Sequence, residues 1–356
     1  MDNKLIQIAE DTGKGNHAGT KATKDVSQIA ERLGFRPVGI RWASDAETTG
    51  GTIIRQLCYL VDWTKAYLCT PENAVVLMQH PYHHKQLIRS RILHRMKKRK
   101  HVKFISLVHD VEELRGYRYS DYYRREFDDM LDLADVLIVH NSKMKRWFIG
   151  KGLPEERLIS LGIFDYLLSG SELNHPRFSR KVNIAGNLSL KRSGYLSELA
   201  RLDGVGFILF GPNLDDSLCD LPNIQYGGNK SPEEITGCLS EGFGLVWDGE
   251  SVDSCKGLAG EYLKYNNPHK LSLFIVSGMP LIVWRNSALA EFVEKYHIGI
   301  AVDSLENLPD VLSKVDTEEY AAMQAAEETL RQDMIRGQYG QTAIGKALEY
   351  LETVQR

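Results

Sequence analysis

Short apolar runs alternate with amphipathic segments along this chain, and they do so twice. In the first half the runs are residues 5–9 (LIQIA), 74–80 (AVVLMQH), 104–110 (FISLVHD) and 136–141 (VLIVHN), with helical patterns over 25–33 and again in a basic segment. In the second half they are residues 182–187 (VNIAGN), 206–212 (GFILFGP), 243–249 (FGLVWDG), 281–284 (LIVW) and 298–302 (IGIAV). Strands buried on both faces read as such runs, and the amphipathic segments between them read as helices covering a parallel sheet. The pattern predicts an α/β chain with two doubly wound domains, and 356 residues hold enough material for two cores. The polar, proline-containing stretch 169–181 is placed as the linker, giving domains 1–168 and 169–340, with a final helix over about 341–356. Ligands of such sheets bind at the carboxyl ends of the strands, so two such edges sharing a cleft are the first place to look for chemistry.

Composition narrows the function classes. A formal net charge of −3 predicts no general affinity for nucleic acid. One local exception is residues 89–103 (RSRILHRMKKRKHVK), where cations from Arg89 to Lys103 interleave with Ile92, Leu93, Met96 and Val102. That segment reads either as a solvated helix or as an amphipathic helix lying on an anionic membrane surface. The five cysteines are scattered without a C-x-x-C pair, which suits a reducing compartment. No apolar run is long enough to span a bilayer and the first residues lack a signal-peptide pattern, so a cytoplasmic protein is expected.

The glycine-rich stretch after the first run (DTGKGNHAGTK) invites a phosphate-loop reading, but its glycines follow G-x-G-x-x-x-G and Thr20-Lys21 reverses the P-loop order. It reads either as a plain flexible loop or as a lid over a ligand. The sequence has no Asp-x-Asp, no H-E-x-x-H and no clustered His and Cys, so no metal and no cofactor are expected. Without a metal, a diphosphate leaving group has to be neutralised by helix dipoles and cationic side chains. A helix starting near Pro268 would offer both, since the polar cluster 266–270 (NNPHK) carries amides, an imidazole and Lys270 where acids are the usual choice. The alternative stays open that Asn267 only caps the helix and Lys270 is solvated.

Four ordered motifs now carry a resemblance: NHAGTKATKDV (16–26), LVHDVEELR (107–115), FGLVWDG (243–249) and GEYLKYNNPHKLSLFIVSGMPLIV (260–283). Together they resemble the bacterial galactofuranosyltransferases of surface-polysaccharide synthesis, and they are similar to the glucosyltransferases that extend glycans on serine-rich adhesins. The resemblance implies a GT-B fold, with the acceptor in the first domain, the donor nucleotide in the second, and the final helix crossing back to the first. It places Asn267, His269 and Lys270 at the diphosphate end of a UDP-sugar, Gly186, Asn187 and Lys191 in the loop after the second domain's first strand, and Glu261 beside the donor pocket. Gly19, Thr20 and Lys21 would face the diphosphate from the other domain.

The Glu-x7-Glu pattern of many retaining GT-B enzymes is missing between Lys270 and Pro280, which favours inversion. Inversion needs a base. Asp110 is the candidate, with His109 orienting it or contacting phosphate, although strand-end capping would also explain an aspartate there. Glu112, Glu113 and Arg115 are read as acceptor-hydroxyl ligands or as an ordinary solvated helix start. Trp247 is read as core or as a ring against the donor. The expected activity is hexosyl transfer, of galactofuranose from its UDP donor to a glycan or lipid-linked acceptor. A UDP-glucose-dependent enzyme or a non-catalytic partner subunit is the alternative. A homo-oligomer is compatible with all of these readings.

Overall fold

The computed structural model describes residues 4–11, 18–41, 48–82, 84–116, 120–168 and 174–354. The chain divides into two compact units, one of residues 1–15, 23–162 and 340–356, the other of residues 16–22 and 163–339.

The first unit is built on β1 (Leu5–Glu10), α1 (Ala18–Arg32), β2 (Arg36–Ile40), α2 (Thr49–Cys69), β3 (Val75–His80), α3 (Arg89–Lys100), β4 (Lys103–Val108), α4 (Glu112–Arg115), α5 (Asp121–Leu133), β5 (Val136–Val139), α6 (Ser142–Gly150) and β6 (Leu158–Ser160). Its sheet is parallel, in the order β2-β1-β3-β4-β5-β6. The central strands β4 and β5 are buried nearly throughout, as their unbroken apolar runs require. Helix starts follow local chemistry: Thr48 accepts from the Gly51 amide to cap α2, and Asn141 accepts from the Lys143 and Met144 amides to cap α6. A core around Tyr59, Trp63, Met96 and Phe104 fills one face.

The second unit carries β7 (Arg177–Ala185), β8 (Gly206–Phe210), β9 (Ile224–Gly228), α7 (Pro232–Cys238), β10 (Glu241–Val246), α8 (Gly257–Tyr262), α9 (His269–Val276), β11 (Leu281–Trp284), α10 (Ala288–Tyr296), β12 (Gly299–Val302), α11 (Leu308–Lys314) and α12 (Thr317–Arg336). Its parallel sheet runs β12-β11-β10-β7-β8-β9 and has a core on each face. Gly244 of β10 lets α9 lie against the strand, because a Cβ there would sit 2.3 Å from the Phe274 ring. Gly337, at φ 80°, ends α12 in the left-handed region that glycine favours. The chain then enters α13 (Gln338–Val354), most of which groups with the first unit.

Several expectations are corrected. The second unit begins at residue 163, and residues 177–181 of the expected linker are the first half of β7. The helix expected over 25–33 starts at Ala18, so Gly19, Thr20 and Lys21 are the first turn of α1 rather than a loop. Residues 12–17 of that stretch lie outside the described residues. In the basic segment Leu93, Met96 and Val102 are buried in the core, so the apolar half of an amphipathic surface helix is already covered. Lys97 donates to the Leu133 carbonyl at 2.6 Å, and Lys100 to those of Tyr67 and Thr70 at 2.6 Å each. Cations suit such helix-terminal carbonyls.

Candidate active site

In the second unit, candidate residues collect where strands end. Gly186 follows β7 at φ 142°, and its amide donates to the Phe210 carbonyl at 3.0 Å. Gly211 follows the neighbouring β8 at φ 144°, and a Cβ there would stand 1.8 Å from the Gly186 carbonyl oxygen. These two turns therefore approach each other as only glycine backbone can. The Asn187 side chain accepts from the Ser189 amide at 3.0 Å, which folds the loop back on itself. Lys191 is exposed further along that loop.

Beyond β10, Trp247 is fully buried and donates its indole N–H to the Ser251 carbonyl at 3.1 Å, so it is a core residue. Asp248 is the next residue. Its Oδ1 lies 2.8 Å from Lys270 Nζ, which also donates to the Trp247 carbonyl at 2.7 Å. The cation at the start of α9 is therefore anchored to the end of β10, not solvated. The N-cap of α9 is Pro268, so the proline precedes the first turn and Asn267, which is buried, stands one residue outside the cap. Glu261, on α8, is exposed and paired with Lys264.

His269 is held more tightly than expected. Its ring stacks on Tyr166 at 5.0 Å and 22°, and Nε2 lies 3.3 Å from the Asp165 carbonyl. A carbonyl only accepts, so Nε2 carries the proton and Nδ1 keeps its lone pair; that atom is buried without a hydrogen-bond partner. Burial lowers the imidazole pKa to about 4, the nearby Lys21 ammonium adds to this, and the Asp165 carbonyl opposes it. Lys21, which groups with this unit, donates to the Leu167 carbonyl at 2.7 Å and sits 4.7 Å above the Tyr166 ring. Lys21 and His269 are thus brought together around Tyr166. The Tyr166 hydroxyl donates to the Pro232 carbonyl at 2.7 Å. Sequence reasoning missed Asp165 and Tyr166, because it assigned residues 163–168 to the first domain. The polar-aromatic pair inside the apolar run GIFDYLL was the available signal.

In the first unit, His109 and Asp110 follow β4 as expected, but the partners differ. His109 Nε2 lies 2.7 Å from Gln79 Oε1. Asp110 Oδ2 accepts from Arg115 Nη1 at 2.6 Å, and the same nitrogen lies 3.3 Å from Glu112 Oε1. Glu112 is buried, and Glu113 pairs with Lys151. These three residues of α4, read as acceptor ligands or a solvated helix start, therefore hold local ion pairs, and Arg115 is in one of them with Asp110. The N-cap of α4 is Val111, so Asp110 does not occupy the cap position of that helix. A cavity of about 210 Å³ lies beside this edge, lined by Glu10, Thr23, Lys24, Gln79 and Tyr82 among others. Among the described residues no three His, Cys, Asp or Glu side chains form a metal-binding group.

Family models for the N-terminal and C-terminal domains of glucosyltransferase 3-like proteins match residues 5–163 and 182–347. The chain belongs to the glucosyltransferase 3-like family. Among its relatives, the beta-1,6-galactofuranosyltransferase WbbI of Escherichia coli is 31% identical over 94% of this chain and 96% of WbbI. Glucosyltransferase 3 of Streptococcus gordonii is 26% identical over 87% of each chain. Of solved structures, Anabaena HepE in complex with UDP and glucose superposes with a TM-score of 0.60 at 10% identity, covering 97% of this chain and 99% of HepE. The apo form of the lipopolysaccharide outer core galactosyltransferase WaaB also scores 0.60, at 12% identity, covering 96% and 99%. At those identities the structural likeness speaks for the fold. With family and fold in agreement, this member is a glycosyltransferase of GT-B type.

Proposed function

We propose that this glycosyltransferase moves galactofuranose from UDP-galactofuranose to a glycan or lipid-linked acceptor in surface-polysaccharide synthesis, with inversion and without a metal or cofactor. The observation that carries the donor half is the set at the strand ends of the second unit: the glycine turns at Gly186 and Gly211, and Lys270 of α9 anchored to the end of β10, the strand that pairs with β7. Glycine turns let backbone amides approach a diphosphate, and an ammonium at a helix N-terminus offsets the charge that develops on the leaving phosphate. Galactofuranose is the choice because WbbI is a galactofuranosyltransferase and is the more similar of the two relatives described above.

In this reading the acceptor oxygen bonds to the anomeric carbon, the bond to the β-phosphate oxygen breaks, and UDP leaves with the electron pair. Asp110 takes the acceptor proton, and Arg115 holds the carboxylate in place. A UDP-glucose-dependent reaction is the second reading, favoured by the glucosyltransferase 3-like family models themselves. Saturable binding and transfer measured over a panel of UDP-sugars, with EDTA present throughout, separate the two. Transfer from UDP-glucose alone, or strict dependence on added magnesium or manganese, overturns the first reading.

A further inference from the structure

Helix α2 leaves one face uncovered. Tyr59, Asp62, Trp63 and Ala66 point into the core of the first unit, while Ile53, Ile54, Leu57, Leu60, Val61 and Leu68 are each at least 45% exposed. Their spacing puts all six on a single stripe of the helix, and Leu87, 66% exposed, extends it at the start of α3 through the Gln56 side chain that accepts from its amide. Scattered exposed leucines are ordinary on a monomer. Six aliphatic side chains on one stripe over about four turns of helix mark an interaction face.

The charges around the stripe decide what it meets. α3 lies beside α2, and the two are tied through Tyr67, whose ring carries Arg95 at 5.5 Å and Lys100 at 4.5 Å. The outward face of α3 presents Arg91, Arg95, Lys98 and Arg99, and α3 contains no acidic residue. The only acid on α2, Asp62, is buried and ion-paired with Arg41 at 2.6 Å. At the start of the stripe, Arg55, His84 and Lys85 line a cavity of about 320 Å³ with Gln56 and Leu87. The face is therefore aliphatic, edged by cations, with no exposed carboxylate on either helix. A two-fold contact of this face with itself would repeat the same cations on both sides. An anionic surface complements them.

We propose that α2 and α3 form a membrane-docking face, in which the α2 aliphatics enter the headgroup boundary of an anionic bilayer and the α3 cations meet its lipid phosphates. The apolar contact comes from α2, while the basic helix supplies charge alone. This face does not depend on which sugar is transferred.

The test uses the full chain without donor, mixed with vesicles of phosphatidylglycerol and phosphatidylcholine or of phosphatidylcholine alone, with molar mass read in parallel by light scattering. The bound fraction on anionic vesicles should exceed that on neutral ones by about tenfold at low ionic strength. Leu57→Gln with Val61→Gln should weaken binding at any salt. Arg91→Gln with Arg95→Gln, Lys98→Gln and Arg99→Gln should remove the difference between the two vesicle types, as should salt at about 0.5 M. Thermal transitions of both variants should match the unmodified chain. Absence of vesicle binding, binding unaltered in both variants, or a dimer that Leu57→Gln with Val61→Gln converts to a monomer overturns the proposal; the last result would assign the stripe to a second copy.

Discussion

Lys270 and Asp248 form an ion pair of 2.8 Å between the start of α9 and the end of β10, with the lysine side chain only 15% exposed. An ammonium held by one carboxylate and one carbonyl retains a third donor for an arriving phosphate. Lys270→Met should weaken UDP binding by roughly 1.5 to 3 kcal/mol, the scale of one charge-assisted hydrogen bond. Asp248→Asn, which lifts the competing charge, should leave UDP affinity unchanged or raise it. Calorimetric titration with UDP reads both, and equal affinity in Lys270→Met and the unmodified chain would make the pair purely structural.

The base assignment predicts that Asp110→Asn keeps UDP affinity and lowers turnover by about 100-fold or more. Arg115→Met should lower turnover less, because it loosens the carboxylate without removing it. Single-turnover kinetics with saturating donor makes the comparison. Near-normal turnover in Asp110→Asn would move the base elsewhere.

What was readable in the sequence follows from burial. The strands read from apolar runs are mostly interior ones, while β2, β6 and β9, which went unread, are all sheet edges. An edge strand is paired on one side only, and RPVGI, LIS and IQYGG carry too few apolar residues to form a run. The same logic governs the site. Lys270 and Asp110 stood out because charges at strand and helix ends break an apolar pattern, but their pairing with Asp248 and Arg115 exists only in space, and Arg115 was read as an acceptor ligand or part of a solvated helix start. Tyr166 and Asp165 were hidden because residues 163–168 pack within the second unit, with Ser272 donating to the Phe164 carbonyl at 2.7 Å. No periodicity announces that crossing.

Acid should destabilise the fold through histidines buried in the neutral form. Burial lowers His80 to about 3 with help from the Arg89 charge, and lowers His140 to about 4 against the opposing Val108 and His109 backbone groups. A base whose folded pKa is depressed contributes stability that is complete above its unfolded value near 6.5, and that is lost as pH falls toward the folded value. Between pH 7.5 and 5 each should cost about 1 to 2 kcal/mol. Urea midpoints across that interval check the slope, which His140→Gln should flatten by one proton's share.

Arg89 and Glu126 meet at 2.8 Å with side chains 7% and 2% exposed, and the guanidinium also lies 4.5 Å over the Tyr82 ring. Breaking such a pair leaves a buried charge uncompensated. Arg89→Met should therefore lower unfolding free energy by about 3 to 5 kcal/mol, whereas Arg89→Met combined with Glu126→Leu should recover much of the loss. Chemical denaturation of the three proteins gives the coupling directly, and a double variant as unstable as the single one would mean that packing on Tyr82, not charge, is what Arg89 contributes.

The two glycine turns separate geometry from strain. Gly186 and Gly211 share nearly the same backbone, at φ 142° and 144°, which side chains rarely adopt. A Cβ on Gly186 meets nothing within 4 Å, whereas one on Gly211 would fall 1.8 Å from the Gly186 carbonyl oxygen. Gly186→Ala should therefore cost only backbone strain, of order 1 to 3 kcal/mol. Gly211→Ala adds a clash between backbones that no side-chain rotation relieves, so it should cost more and push the β7 turn away from its place. The proposed donor site uses that turn, so UDP affinity should fall further in Gly211→Ala than in Gly186→Ala, measured at a temperature where both remain folded. Equal affinities would mean that the turn after β7 does not approach the nucleotide, and the donor site would then rest on Lys270 and α9 alone.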